Sequence, residues 1–421
     1  MDKMKNSGIE WIGEIPDNWE VNLVKNIFDI TRGRVIAKTE IEDEPLEGYY
    51  PVYSSQTANS GILGYIPSYD FAIDSLTWTT DGAKAGTVFL RRGKYSITNV
   101  CGILTLKSEK YSLDYLNYAV GFSAYNCRRA DINGYKIMSN EMAIIPIVVP
   151  HLEEQQRISK HLDEKCGKLD ELIANQEKQI EKLKEYKQSV ITEAVTKGLD
   201  KSAPLKDSGI EWIGKISCSA SILILKHYAY MKGRIGWQGL NSNDFIDEGP
   251  YCITGTDFLN GAINWDTCYH VSNERYEMDS FIQVKVGDLL ITKDGTIGKL
   301  AKITDLPDKA CLNSHLLIIR PLRGMFNNEY LYYVLSSYVF WKYYNKISSG
   351  AIMASISQEK LGRFAFPVFD IKMQKSITDY LDEKCGKIDR LIAIKQEKIE
   401  KLNEYKKSLI YEYVTGKKEV V

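Results

Sequence analysis

Two stretches of the chain repeat one spacing of apolar residues, alternately three and four positions apart. Residues 162–187 and 381–406 align without a gap, and 18 of the 26 positions are identical. The apolar seam residues, which continue beyond the aligned stretch, are Leu162, Cys166, Leu169, Ile173, Ile180, Leu183, Val190 and Ala194 in the first copy and Leu381, Cys385, Ile388, Ile392, Ile399, Leu402 and Leu409 in the second. This is the a/d pattern of a coiled coil, so each stretch is predicted to be a long amphipathic helix.

Polar residues interrupt the seam at matching places in the two copies. They are Gln176 and Lys187 in the first, and Lys395 and Lys406 in the second. Polar residues inside such a seam usually fix the register and the choice of partner helix at a cost in stability. The seam therefore predicts a specific helix pair.

The predicted helices are longer than a small domain requires. They begin after Pro150 and near Asp370, and they end at Gly198 and Gly416, where glycine suits a helix C-cap. About 45 residues at 1.5 Å each gives roughly 65 Å per helix. We interpret the helices as a spacer as well as a packing pair.

The repeat extends well beyond the helices. The sequence NSGIEWIGEIP at residues 6–16 returns as DSGIEWIGKIS at 207–217, and Gly33-Arg34 returns as Gly233-Arg234. Further along, TTDGAKAG at residues 79–86 resembles ITKDGTIG at 291–298. Self-similarity of this kind indicates a tandem duplication in which the ends of each copy were kept and the middle diverged.

The two middle segments, residues 19–150 and 223–369, share one pattern. Short β-rich runs are broken by Gly, Asn, Asp and Ser, and a helix-like stretch follows at residues 113–122 and 328–344. Both segments are predicted to be domains of mixed helix and sheet.

The predicted fold class is α+β. Two α/β domains are joined by two long helices, which form an intramolecular antiparallel coiled coil in a pseudo-twofold tandem repeat. Only a short linker, residues 199–206, precedes the second copy, so an antiparallel return is the economical path, although a domain of this size could also bridge a parallel pair. The predicted segments are the first domain at 1–150, the central helical spacer at 151–198, the linker and second domain at 199–369, and the C-terminal helical spacer at 370–421.

Composition and charge narrow the class of protein. Hydrophobic residues at 44% and charged residues at 26% are ordinary for a globular chain. No apolar run is long enough to span a membrane, and the charged start does not fit a signal peptide, so we expect a cytoplasmic protein. The 54 basic and 55 acidic residues leave a net charge of −1, which counts against a simple basic nucleic-acid binder. Any polyanion would have to bind local basic patches.

Known catalytic and metal-binding signatures are missing from the sequence. Gly295, Gly298 and Lys299 have the wrong spacing for a phosphate loop, and without any Pro-Pro pair the amino-methyltransferase motif is absent. Eight cysteines follow no metal spacing and are interpreted as reduced, packed thiols. The histidines are scattered along the chain, at His151, His161, His227, His270 and His315. We therefore predict neither a catalytic residue nor a metal site.

The middle segments hold loops with side chains suited to contacting DNA. Short polar side chains that follow strands can bond base edges, and lysine or arginine can contact phosphates. The candidate residues are Arg34, Ser54, Ser55, Gln56, Lys84, Arg91, Arg92 and Lys94 in the first half, and Arg234, Trp237, Gln238, Thr254, Thr256, Lys293, Lys299 and Ser349 in the second. Taken alone, each candidate is interpreted as an ordinary turn or surface residue. The interpretation of the group as DNA contacts rests on the recurrence of such residues at corresponding positions in the two halves.

Three motifs in order carry a resemblance to a known family. SGIEWIGEIPDNW opens the first half, HLEEQQRISKHLDEK leads into its helix, and AVTKGL closes that helix. Over essentially its whole length the chain resembles the specificity subunit of type I restriction-modification systems. The second half departs twice, with residues 217–220 reading SCSA where 16–19 read PDNW, and Met373-Gln374 replacing Glu154-Gln155.

The resemblance implies a non-catalytic subunit that reads DNA for other subunits. Each middle domain would be a target-recognition domain for one half of a bipartite double-stranded DNA site. The helices would set the unread gap and dock two modification (methyltransferase) subunits, and restriction or motor subunits would join for cleavage. S-adenosylmethionine, ATP and Mg are expected only in those partner subunits, and no cofactor is expected in this chain.

Two other classes of function stay open at the level of the sequence. One is a coiled-coil scaffold whose end domains bind proteins, which the near-neutral charge permits. The other is an enzyme that acts alone. Co-purification with a methyltransferase and salt-sensitive DNA binding would favour the DNA-reading subunit.

Overall fold

The computed structural model describes residues 3–132, 134–234, 240, 244–348 and 355–420. The chain divides into two compact units. Unit 1 comprises Met1–Gln176 and Glu397–Val421, and unit 2 comprises Glu177–Gln396. Each unit therefore combines one middle segment with half of each long helix, whereas the division made from the sequence places its boundaries at the ends of the helices.

Helices and strands are numbered separately in chain order. The helices are α1 Val24–Ile27, α2 Leu113–Cys127, α3 Ser139–Ala143, α4 Leu152–Lys197, α5 Asn273–Glu277, α6 Asn328–Ser336, α7 Tyr338–Ser348, α8 Gln358–Gly362 and α9 Ile371–Val414. The long helices α4 and α9 hold the repeated stretches. Each is followed by a glycine in the left-handed region, with φ of 79° at Gly198 and 67° at Gly416. A Cβ is disfavoured there, which explains why glycine ends both helices.

The long helices run antiparallel in each unit. In unit 2, Lys187 pairs with Asp389 at 2.6 Å, and Lys395 bonds the Gln179 side chain, so the residue number falls on α9 as it rises on α4. In unit 1, the rings of His161 and Tyr413 lie 4.6 Å apart and Lys406 pairs with Asp170 at 2.7 Å, which gives the same direction. The predicted intramolecular antiparallel coiled coil is confirmed.

The apolar seam faces the partner helix along its length. The buried seam residues are Leu162, Cys166, Leu169 and Leu409 in unit 1 and Ile180, Ala194, Leu381, Cys385 and Ile388 in unit 2. The half-buried ones are Ile173, Ile399 and Leu402 in unit 1 and Leu183, Val190 and Ile392 in unit 2. Three of the polar interruptions, Lys187, Lys395 and Lys406, bond side chains of the opposite helix. These bonds give the lysines polar partners at the edge of an otherwise apolar stripe.

Unit 1 builds its sheets from the first fifteen strands. These are β1 Met4–Asn6, β2 Glu14–Pro16, β3 Glu20–Leu23, β4 Phe28–Arg32, β5 Tyr50–Tyr53, β6 Ile62–Ile66, β7 Phe71–Ala72, β8 Ser75–Thr79, β9 Asp81–Gly82, β10 Val88–Arg91, β11 Lys94–Ile97, β12 Cys101–Leu106, β13 Arg129–Asp131, β14 Gly134–Lys136 and β15 Pro146–Val149. An antiparallel sheet has the order β10-β8-β12-β4, and a second sheet has the order β6-β5-β11-β7. Smaller sheets are β13-β14-β9, β15-β3 and β1-β2.

Unit 2 repeats much of this plan with different lengths. Its strands are β16 Leu205–Asp207, β17 Lys215–Ser217, β18 Ser221–Ile224, β19 Ala229–Lys232, β20 Phe245–Ile253, β21 Phe258–Leu259, β22 Ala262–Ile263, β23 Tyr269–Val271, β24 Leu289–Thr292, β25 Leu300–Lys302, β26 Ala310–Leu312, β27 Leu316–Pro321 and β28 Ala365–Val368. The sheet β25-β24-β27-β19 has the same order as β10-β8-β12-β4, and β18-β28 and β16-β17 match β3-β15 and β1-β2. The predicted α+β tandem repeat is confirmed.

A buried tyrosine joins sheet to helix in each unit. Tyr115 Oη lies 2.9 Å from the carbonyl oxygen of Val148 and 3.3 Å from that of Val414, at the last turn of α9. Tyr330 Oη lies 3.0 Å from the carbonyl oxygen of Pro367 and 3.1 Å from that of Val195, in the last turns of α4. Because both tyrosines are fully buried, these bonds fix where each helix end docks.

The two departures between the halves belong to one contact. In unit 1, Trp19 Nε1 donates to Glu154 Oε2 at 3.0 Å, and the indole is buried. In unit 2, the equivalent positions hold Ala220 and Met373, which cannot form this bond. The two halves therefore differ at both the donor and the acceptor position of this hydrogen bond. At this place in the fold, the buried indole of Trp19 occurs together with the carboxylate that accepts its hydrogen.

Each unit has its own apolar core. Large buried side chains include Phe28 and Trp78 in unit 1 and Phe340 and Phe366 in unit 2. Among the described residues, no helix is both long enough and apolar enough to cross a membrane.

Candidate nucleic-acid interface

A pair of parallel strands ends at one edge of each unit. In unit 1, β5 pairs with β11, with Tyr53 opposite Ile97. In unit 2, β20 pairs with β26, with Ile253 opposite Leu312. Parallel strands finish at the same edge of a sheet, so the loops that follow them lie side by side.

In unit 1, hydrogen bonds hold three loops together at this edge. Thr98 N donates to the Tyr53 carbonyl at 2.9 Å, and Thr98 Oγ1 donates to Ser54 Oγ at 3.1 Å. The loop after β8 joins them, because Thr80 Oγ1 donates to the Val100 carbonyl at 2.9 Å. We name residues 54–56, 80–82 and 98–100 the loop edge of unit 1.

The same backbone bonds recur in unit 2. Asn313 N donates to the Ile253 carbonyl at 2.9 Å, as Thr98 does to Tyr53. Lys293 N donates to the His315 carbonyl at 2.9 Å, which corresponds to the bond from Thr80 N to Val100 at 3.4 Å. Residues 254–257, 293–295 and 313–315 therefore form the loop edge of unit 2.

The doubled Gly-Arg dipeptide brings the chain close to this edge. A Cβ on Gly33 would lie 2.2 Å from the Ile97 carbonyl oxygen, and one on Gly233 would lie 2.7 Å from that of Leu316. Only glycine permits such a close backbone approach. The repeat of Gly33 and Gly233 is thus explained by packing beside the loop edge.

Several residues predicted to contact DNA lie at the loop edge of unit 1. Ser54 and Ser55 are half-buried, Gln56 is exposed, and Gln56 Nε2 donates to the Ile62 carbonyl. Arg34 forms a bridge with Thr98 and pairs with Asp70 at 3.1 Å. Lys84 is exposed on the next loop, where its carbonyl accepts a bond from Thr79 Oγ1 at 2.8 Å.

Arg92 and Lys94 lie away from the loop edge. Arg92 lies in the turn before β11 and Lys94 begins that strand, whereas the loop edge follows the end of β11. Arg92 pairs with Asp74 at 2.9 Å and with Asp114 at 2.6 Å, and the Lys94 ammonium lies 4.7 Å from the Tyr69 ring centroid. The structure therefore does not bring these cations together with Ser54 and Gln56.

Arg91 lies in the interior rather than on the surface. Its side chain is 4% exposed, and it donates to Thr77 Oγ1 at 3.0 Å and to the Ser60 carbonyl at 2.7 Å. The guanidinium lies 3.5 Å from the Tyr53 ring centroid, and its burial lowers the pKa of Arg91. We revise its expected role from phosphate contact to support for the loop that carries Ser54.

In unit 2, Thr254 and Thr256 lie on the loop edge, and their hydroxyl oxygens are hydrogen-bonded to each other at 2.6 Å. Buried Asp257 accepts bonds from Thr254 N at 2.7 Å and Thr254 Oγ1 at 2.9 Å, which fixes the turn. Lys293 is half-buried on the same edge, and Lys299 is exposed on the adjoining loop.

Arg234 differs from its counterpart Arg34. It is 3% exposed, and its Nε donates to the Leu312 carbonyl at 3.0 Å. Burial among strands explains why it cannot serve as an exposed phosphate contact, and its role is likewise revised to structural support. Trp237, Gln238 and Ser349 lie outside the described residues.

The loop edges also contain residues that the sequence did not single out. These are Thr80, Asp81, Thr98 and Asn99 in unit 1 and Asp294, Asn313, Ser314 and His315 in unit 2. These residues could have been found from their position in the sequence, because Thr98 and Asn313 each directly follow a β-rich run. Thr80 and Thr98 are buried and hold the loops together. The other residues are exposed or half-buried, and they present hydroxyl, amide, carboxylate and imidazole groups, which can bond base edges.

Comparison with known proteins gives consistent matches. A family described as "Type I restriction modification DNA specificity domain" matches residues 16–185 and 238–404. The chain is similar to the type I restriction enzyme MjaVIII specificity subunit of Methanocaldococcus jannaschii, at 26% identity over 418 residues that cover 96% of this chain and 93% of that protein. It is also similar to the putative type I specificity subunit S.MpnORF289P N-terminus of Mycoplasma pneumoniae, at 40% identity over 140 residues that cover 33% of this chain and 74% of that protein.

One solved structure shares the fold over most of the chain. It comes from a study of complex assembly and conformational transition of the type I R-M system. The TM-score is 0.64 at 15% identity, and the match covers 96% of this chain and 99% of the other.

Proposed function

The chain belongs to the family of type I restriction-modification DNA specificity subunits, and from this premise we propose that each loop edge reads one half of a bipartite double-stranded DNA site. The observation that carries the proposal is the recurrence of the same three-loop arrangement in both units. One molecule then holds two separate sets of base-reading groups, and a site with two different halves is the natural ligand.

Members of this family recognise DNA and are not the catalytic subunits. The chemistry of the loop edges suits that role. Hydroxyl and amide groups on short side chains can bond base edges in the major groove, while Lys84 and Lys299 on the adjoining exposed loops can contact phosphates. This reconciles DNA binding with a net charge of −1, since the cations are placed locally.

The long helices are proposed to set the unread gap and to dock two modification subunits. Apolar side chains stay exposed on the helices at repeated positions, Leu172 and Tyr405 in unit 1, and Leu391 and Tyr186 in unit 2. Repeated exposed apolar residues fit two copies of one partner, because each copy would meet the same groups.

The reaction itself is assigned to those partners. Modification subunits would use S-adenosylmethionine to methylate adenine, and restriction or motor subunits would use ATP and Mg for cleavage. A methyltransferase acting on a base inside a duplex must extrude it, so the pocket for the extruded base would belong to the modification subunit. Such a complex would act on cellular DNA in the cytoplasm.

Mapping of methylated adenines tests the proposal. The chain is co-expressed with its modification subunits in a host without other adenine methylation, and the modified sites are read from the genome. We expect one bipartite sequence with a fixed gap. A single continuous site, or none, would contradict the proposal, and binding of proteins without DNA would favour the scaffold alternative.

Alanine variants in each loop edge show which unit reads which half of the DNA site. Replacing Ser54, Ser55 and Gln56 with alanine should alter only one half-site, and replacing Thr254 and Thr256 should alter only the other. If either set changed both halves, the separate reading by the two units would be refuted.

A further inference from the structure

His315 stands on the loop edge of unit 2 with its ring held by a carboxylate. His315 Nδ1 lies 2.5 Å from Asp294 Oδ1. The histidine side chain is 64% exposed and the aspartate side chain 34% exposed, so the pair lies at the surface.

The backbone fixes both members of this pair. Lys293 N donates to the His315 carbonyl at 2.9 Å, and the Lys293 carbonyl accepts from Ile356 N at 2.7 Å. Asp294 also forms a bridge with Ser355. With the backbone of both residues fixed and the ring held by the Asp294 carboxylate, the His315 side chain loses less rotamer freedom on binding DNA than a free one.

The carboxylate determines which ring atom is available. A carboxylate accepts the Nδ1 hydrogen, and in the neutral imidazole Nε2 then carries the lone pair. Within the described parts of the chain, no hydrogen bond engages His315 Nε2. With Nδ1 held by the carboxylate, Nε2 is the ring nitrogen that faces the edge where base contacts are proposed.

We propose that His315 Nε2 reads an exocyclic amino group, adenine N6 or cytosine N4, at one base pair of the second half-site. Asp294 is the positioning residue that orients the ring. This inference rests on the function proposed above. In the major groove each base pair carries one such amino group, and reversing the pair moves it to the other strand. His315 would thus distinguish a base pair from its reversal.

Unit 1 supplies an internal comparison. The residue equivalent to His315 is Val100, because Thr80 N bonds the Val100 carbonyl as Lys293 N bonds that of His315. Valine has no hydrogen-bonding side chain. The effect of changing His315 should consequently appear in one half-site and leave the other as a control measured on the same molecule.

The test uses the full chain in complex with its modification subunits. Methylation rates are compared on duplexes that carry each base pair, or its reversal, at every position of the second half-site. His315→Ala should lower the preference at one base pair by about fivefold or more, with the first half-site unchanged. Asp294→Ala should lower the preference at that same pair by less. His227→Ala, at another exposed histidine of unit 2, is the matched control.

The outcomes separate this inference from the proposed function. If wild-type and His315→Ala complexes show the same preference at every position, or if the variant weakens all sequences equally, His315 is not a base-reading residue and the bipartite function stands. If the wild-type complex has no bipartite site, both proposals fail. Loss of preference at one pair in both variants supports the assignment.

Discussion

Arg91 and Arg92 are neighbours in sequence, but their guanidinium groups lie in different surroundings. Arg91 is buried against the rings of Tyr53 and Phe89, with bonds to Thr77 and Ser60. Arg92 is 57% exposed and pairs with two aspartates at the surface. Removal of a buried guanidinium leaves its hydrogen-bond acceptors unsatisfied, whereas an exposed ion pair contributes little to the free energy of unfolding.

We therefore expect Arg91→Ala to lower the free energy of unfolding of unit 1 by about 2–4 kcal/mol. Arg92→Ala should lower it by at most about 1 kcal/mol. Calorimetric unfolding of the full chain measures both. Equal small losses would mean that the buried contacts of Arg91 contribute little to stability.

The cysteines provide a second prediction at this scale. All eight are free thiols, of which only Cys127 and Cys218 are exposed. Burial raises the pKa of the Cys101 thiol to about 12 and that of the Cys385 thiol to about 11. Because the thiolate is the reactive form, native protein treated with a maleimide should be labelled at Cys218 and Cys127 and not at Cys101 or Cys385.

Mass spectrometry of peptides after labelling identifies the modified residues. Labelling in denaturant is the control, and all eight cysteines should then react. Rapid native labelling of Cys385 would show that the helix pair opens readily at its seam.

The sequence could identify candidate types of residue but not their burial. It grouped Arg91 with Arg92, because adjacent residues of the same kind look alike until the strand places one side chain inside. In the sequence, His315 is only one of five scattered histidines, because its place on the loop edge depends on the pairing of distant strands. Ser54 and Thr254 were predicted to follow strands, and they do follow β5 and β20, because strand and turn signals are local.

At the scale of elements, α4 and α9 are held in register by cross-helix charges. Lys406 pairs with Asp170 in unit 1, as Lys187 does with Asp389 in unit 2. These residues are only partly buried, so each pair should contribute less to stability than the apolar seam.

We predict that Asp170→Lys lowers the free energy of unfolding by about 0.5–1 kcal/mol, because it places two lysines together. Combining it with Lys406→Asp should restore most of the loss, since the opposite charges are again paired. Thermal unfolding of the two single variants and the double variant gives the coupling energy. Additive losses would show that the pair does not interact in solution.

The helices were the most predictable elements of the fold. Their seam repeats every three or four residues, and the glycine at each end is a local signal. Sheet topology was not predictable in the same way, because the pairing of β5 with β11, or of β20 with β26, joins residues far apart in sequence. Those pairings determine which loops lie together at each loop edge, so the full set of residues in a loop edge could be identified only from the structure.

At the scale of the whole molecule, the proposed gap between half-sites depends on the length of the helices. Inserting one heptad into α4 after Gln176 and one into α9 after Gln396, in phase with the seam, adds about 10 Å of helix. That length corresponds to roughly three base pairs of DNA. We expect the gap in the methylated sequence to lengthen while both half-sites keep their bases.

Insertion into α4 alone is the control, because it disturbs the pairing of the two helices and should abolish methylation. An unchanged gap in the doubly extended protein would mean that the helices do not set the spacing.

In unit 1 the segment that follows α9 lies against β2, because Lys417 Nζ donates to the Glu14 carbonyl at 3.2 Å. At the equivalent place in unit 2 the chain continues without a break, through residues 199–204 into β16. A circular permutant would link residue 420 to residue 3 by a copy of this connection and would be opened within residues 199–204. Its new termini would then lie outside every helix and strand named above. We therefore expect such a permutant to fold and, with its modification subunits, to methylate the same DNA site.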